Sequence, residues 1–384
     1  MRAFATAALP LAMLASHAQA DQSHLLVGLD GKLFFEATGP RNGAPGADAV
    51  AIVDISDPAQ PKLVGTLPLA NSVAGPPTNL QITPDGRLGL VASSLANQPK
   101  DAGFSAAPDD TLHVIDLTAR PPQLIETIKV GRFPSGLSIN RAGTLALVAN
   151  RAGKSVSVLT IEGATVRQVA EVVVEDEVAA VAITPDGTRA FIAKNLAHKV
   201  GVLAIDGTTV TYDKKQDMPV GLGVYNLDVT PDGRRVIAVN TGVGGDGHAD
   251  TVSVIDANAT PPRVVDHVTV GDGPEGFAIS PDGRHAVAVL LRGTAAVHNA
   301  WSYGPTGAVA LLSVGDGPVR VLNQVDAGNL PEGIAFSANG RFVYVGNYVD
   351  RNIQVFEVKD NRIVDTGTKL ALPGQPASLR GVAR

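Results

Sequence analysis

The 384-residue chain contains no cysteine. That absence excludes disulfides, thiolate-bound metals, a cysteine nucleophile and a lipid-modified N-terminal Cys. Basic residues are also short, with 31 Lys and Arg against 37 Asp and Glu and a formal charge of −6. A phosphate-backbone binder needs a basic stripe to displace counterions, so nucleic acid is not an expected partner. Aromatic residues make up 4% of the chain, with one tryptophan, Trp301. Beyond residue 20 there is no run of 18 or more apolar residues, so no helical membrane span is expected. Neither a G-x-S-x-G elbow nor an H-E-x-x-H pair occurs.

What is present begins with an export signal. Arg2 precedes an apolar run from Ala3 to about Ala15, and Ala18-Gln19-Ala20 supplies a small-x-small cleavage site. Residues 1–20 are read as a signal peptide and 21–384 as one mature domain, periplasmic or secreted. Losing Arg2 leaves 30 basic against 37 acidic residues, a charge of −7. With 45% hydrophobic residues, the chain has ample material for a packed core.

A short motif then repeats: ITPDGR (82–87), INRAGT (139–144), ITPDGT (183–188), VTPDGR (229–234), ISPDGR (279–284) and FSANGR (336–341). Asp30-Gly31 is read as a degenerate earlier copy. Pro presets φ, Asp bonds back to the backbone and Gly accepts a positive φ, which together make a tight turn. After each turn comes a β-rich run such as LALVAN (145–150), and then an alternating strand such as TVSVID (251–256). No segment sustains a helical period. Four strands in about 50 residues, repeated seven times, predict a single all-β domain, a seven-bladed β-propeller of four-stranded antiparallel blades. The tail GQPASLRGVAR matches the start of an inner strand and predicts ring closure onto the first blade, a place for which HLLVGL (24–29) also competes.

The copies GPEGFAISPDGRHAVAV (273–289) and LPEGIAFSANGRFVYVGNYVDRNIQVFEV (330–358) resemble the YVTN-type propeller repeat and the lactonase-like propellers. That resemblance spans nearly the whole mature chain. It implies the propeller architecture and a family that includes sugar-lactone hydrolases, cycloisomerases, surface proteins and members without assigned chemistry.

Insertions should mark the functional face, where loops can vary without disturbing the blades. The long ones are Glu36–Asp48, Ser94–Asp110, Thr241–Asp250 and Leu291–Gly307. The last carries Arg292, His298, Trp301 and Tyr303, and reads either as an aromatic ligand platform or as a loop folded over its own anchor. By register, Asn79, Ser135, Tyr225, Glu275 and Glu332 approach the axis. The second-strand ends add Asn150, Arg151, Lys194, Asn195, Asn240 and Asn347. Glu275 and Glu332 share a Pro-Glu-Gly frame in adjacent blades. Such a pair could work as general acid and base, hold Ca²⁺ or another divalent cation with Asn oxygens, or pair with Arg132 or Arg292.

His198, His248 and His298 occupy corresponding loops and read either as a convergent site or as solvated residues. His113, His267 and His285 fall in strands and read as structural. GVGGDG (242–247) and GDGPEG (271–276) each lead into a strand, so no dinucleotide site is expected.

Two functions fit these residues. One is an exported monomeric module that binds a small molecule or a partner protein at its channel mouth, with no cofactor firmly implied. The other is a lactonase-like hydrolase. There Glu275 or Glu332 activates water, with His298 as the alternative base, and Arg292 or Arg151 steadies the oxyanion.

Overall fold

The computed structural model describes residues 23–384, so the signal-peptide reading of 1–20 lies outside the described residues. Seven four-stranded antiparallel blades form one ring. From the axis outward, blade 3 is Pro134–Ile139, Leu145–Asn150, Ser155–Glu162 and Thr165–Val173. Blades 5, 6 and 7 repeat that order from inner strands Val224–Val229, Pro274–Ile279 and Pro331–Phe336. The turn glycines at 86, 143, 187, 233, 283 and 340 all sit at φ between +69° and +73°, as the repeated motif requires. The preceding Thr or Ser hydroxyl donates to the turn Asp, as Thr184 does to Asp186 at 2.5 Å.

Each blade is too thin to bury its own faces. Seven apolar clusters form instead, one between each adjacent pair of blades; Ile237, Val252, Phe277 and Ala308, for example, join blades 5 and 6. The ring therefore has no separable part.

Closure is now resolved. Gln375–Arg380 is the innermost strand of blade 1 and HLLVGL belongs to the second strand, His24–Asp30, which pairs with it. The two are not consecutive in the chain, so blade 1 has no Pro-Asp-Gly turn. Asp30-Gly31 is consequently not a degenerate copy. Asp30 pairs with Gln375 at the start of the inner strand, at the opposite end of the blade from the turns.

Ser94–Asp110 also differs from expectation. It continues the second and third strands of blade 2 (Leu88–Lys100 and Gly103–Asp116) as a ribbon. Pro99 and Pro108 are accommodated because they lie in a two-stranded extension where each strand keeps a free edge and a missing donor is tolerated. Part of Glu36–Asp48 likewise forms a hairpin, Leu33–Glu36 with Gly39–Asn42. No helix of the described residues is long and apolar enough to cross a membrane.

Candidate active site at the channel mouth

The inner strands of blades 3 to 7 each carry a bulge near their first residues, such as that between Pro274 and Phe277. A bulge turns one side chain away from the ladder. The residues eight before each turn glycine thereby form a layer at the mouth: Thr78, Ser135, Ala179, Tyr225, Glu275 and Glu332. Blade 1 contributes Ala377 in the same register.

Glu275 and Glu332 are 8% and 3% exposed. Burial pushes the Glu275 carboxyl up to about 7, against the pull of the Arg151 guanidinium. Burial, and then the charge of Glu275, drives Glu332 well above the usual carboxylate range. The Oε2 atom of Glu332 is buried without a hydrogen-bond partner. Two like charges in so dry a place cannot both ionise easily, so the pair retains a proton near neutral pH.

Tyr225 completes the group. Its hydroxyl pKa is raised by burial and by the charges of Glu275 and Glu332, and the Gly75 N–H faces its oxygen. The Arg151 guanidinium lies between two rings, 5.5 Å from Tyr225 and 5.1 Å from Phe133. Its Nη2 reaches Asn195 Oδ1 at 3.3 Å and Glu177 at 3.5 Å. Ser135 Oγ is buried and unpartnered beside Gly75. Four predicted residues, Tyr225, Glu275, Glu332 and Arg151, therefore share one electrostatic environment, with Ser135 at its edge.

The other predicted residues sit elsewhere. Asn79 lies one position off the axial register: its Nδ2 donates to Asn71 Oδ1 and to the Ala92 carbonyl, and Thr78 takes the axial place. Lys194 is buried inside blade 4, bonded to Asp176 (2.6 Å), Asp217 (2.5 Å) and Tyr212 (2.9 Å). Burial opposes its charge, yet these bonds hold its pKa above the ordinary value. Asn150, Asn240 and Asn347 occupy the equivalent position and likewise bond within their own blades.

Arg292 pairs with Asp326 at 2.7 Å, on the outer strand of blade 6. His298 stacks on Tyr303 with centroids 4.2 Å apart. Trp301 is 79% exposed and meets His248 edge-on. The three loop histidines do not converge, since His198 accepts from Gly223 N–H and His248 pairs with Asp246. Among the described residues no group of three or more His, Cys, Asp or Glu could hold a metal ion.

Sequence reasoning missed the cover. The segment Ala70–Thr78 crosses the mouth, and its Val73 packs with Leu291, Leu330, Tyr348 and Ala377. A groove of about 490 Å³ opens at the opposite end, beside Asp85 and Arg87 of a Pro-Asp-Gly turn, far from this chemistry.

No family model and no curated protein matches the chain. Solved structures do. A protein from Bacteroides uniformis, named provisionally as a 6-phosphogluconolactonase, is similar at TM-score 0.71 and 15% identity, over 94% of this chain and 99% of that one. The Pseudomonas aeruginosa periplasmic gluconolactonase PpgL is similar at TM-score 0.65 and 21% identity, again over 94% and 99%. Hydrazine synthase of Kuenenia stuttgartiensis shares the fold at TM-score 0.60 and 18% identity, over 81% and 90%. These likenesses are of fold, and they agree with the seven-bladed propeller described above.

Proposed function

We propose that the protein is an exported hydrolase that opens a lactone at the channel mouth. The observation that carries this reading is the burial of Glu275 and Glu332 together at the mouth, in reach of the charge of Arg151 and of the Tyr225 hydroxyl. The activities for which PpgL and the Bacteroides protein are named support a lactone as the substrate class.

Ionised Glu275 accepts a proton from water, whose oxygen attacks the lactone carbonyl. The oxyanion is stabilised by the Tyr225 hydroxyl, with Arg151 supplying positive charge. On collapse the ring C–O bond breaks, and the proton of Glu332 passes to the departing alkoxide. The proton taken up by Glu275 restores Glu332, leaving a hydroxy acid. Rim residues Arg292, Trp301 and Tyr303 have no part in these steps.

The test is turnover of a lactone panel by the purified protein, with and without a chelator. Glu275→Gln and Glu332→Gln should each lower kcat by about 10²- to 10⁴-fold, the usual worth of a positioned acid or base. Activity should need Glu275 ionised, so kcat/KM should rise as pH approaches 7 and fall again once Glu332 loses its proton. Absence of turnover with a ligand retained in native mass spectrometry would assign the mouth to binding instead, and loss of turnover on chelation would bring in a divalent cation.

A further inference from the structure

A substrate must reach two carboxylates that are almost wholly covered, so part of the cover has to move. The segment Ala70–Thr78 is held down by a charged cluster that the hydrolytic steps leave unused. Lys32 is buried between Asp48, at 2.8 Å, and Asp30, at 3.7 Å, and its Nζ also donates to the Asn71 carbonyl. Asp48 Oδ2 accepts from Asn71 N–H at 3.3 Å, and Asp30 Oδ2 accepts from Val73 N–H at 2.9 Å. Ser94 Oγ donates to the Ala74 carbonyl at 2.6 Å.

Three residues of one connection are thus fastened by polar bonds, immediately before Gly75 faces Tyr225. Gly75 adopts φ +107°, and a side chain there would collide with Ser135 Oγ. That collision places this backbone against the axial layer at Ser135. The polar fastening is what has to release: Val73, Pro76 and Pro77 are buried with it, and the ties to Lys32, Asp30 and Asp48 are shielded from water, so the connection opens only when those bonds break together.

We propose that Ala70–Thr78 is the gate to the Glu275–Glu332 pair, and that Lys32, set between Asp30 and Asp48, is the positioning residue that latches it. The inference rests on the hydrolase reading only for its turnover measurement; access to the carboxylates is measured without substrate.

The chain has no cysteine, so Ala74→Cys with Ser94→Cys gives a single engineered pair that oxidation can join and reduction can release. Glu275 and Glu332 are labelled with a water-soluble carbodiimide and glycine ethyl ester, and the labelled peptides are counted by mass spectrometry. The oxidised double variant should label much more slowly than its reduced form. Lys32→Met should label about tenfold faster than the native chain, the population change from losing one charged hydrogen bond, with faster amide exchange confined to 70–78.

Equal labelling of the oxidised and reduced forms would overturn the gate. Unchanged labelling in a folded Lys32→Met protein would overturn the latch. If labelling responds as expected while no lactone is turned over, the gate stands and the hydrolase reading fails. If lactone turnover by the double variant persists on oxidation, the gate fails and the hydrolase reading stands.

Discussion

At the scale of the residue, the protein tolerates two carboxyl groups where neither is well solvated. The folded-state pKa of Glu275 is raised from 4.5 to about 7, so the folded chain binds more protons than the unfolded one between those values. Stability contributed by this site is present below the unfolded pKa and is lost as pH rises towards 7. Glu275→Gln should therefore unfold later than the native protein at pH 8, by on the order of 3 kcal/mol, with little difference at pH 4. Urea denaturation at the two pH values checks the sign. A native protein that is the more stable of the two at pH 8 would mean the carboxylate is well solvated or firmly paired.

At the scale of the element, strand alternation decides which residues can reach a ligand. Lys194 and Asn195 are neighbours at the end of one strand and go to different places, the first into blade 4 and the second to Arg151. Lys194→Met should destabilise the fold by about 3 kcal/mol, because Asp217 is left buried without its cation. Thermal unfolding reads this, and kcat of the folded variant should stay near native. The same alternation explains how much of the site was legible. Turn spacing alone located Ser135, Tyr225, Glu275 and Glu332, since each lies a fixed distance before its glycine. The same spacing points to Thr78 in blade 2, and Asn79, one residue on, turns into the blade to bond Asn71 and the Ala92 carbonyl. Lys32 and Asp48 gave no signal and Asp30 was mistaken for part of a turn, for all three sit in the one blade whose turn is missing and whose inner strand comes from the other end of the chain. The ribbon from Leu88 to Asp116 was read as a long insertion, since a two-stranded extension beyond the blade follows no repeat of the motif.

At the scale of the whole molecule, the seven interfaces between blades are equivalent in kind, and each depends on both neighbours. The clusters on either side of blade 1 include Leu379, packed with Tyr344, and Val382, packed beside Leu80. The tail goes on to bridge blade 2, where Ala383 N–H donates to the Ile82 carbonyl at 2.8 Å. Deleting residues 373–384 removes the inner strand of blade 1 and exposes the edge of His24–Asp30 to other chains. Such a protein should lose its cooperative melting transition and run as aggregates in size-exclusion chromatography. A sharp transition from a monomer would show that six blades and a fragment can hold the ring.

The placement of Gln375–Arg380 has one more consequence, for the timing of assembly. Every other strand of the ring precedes it in the chain, so the circle cannot lock until this strand is in place. The mouth takes shape only as the ends meet.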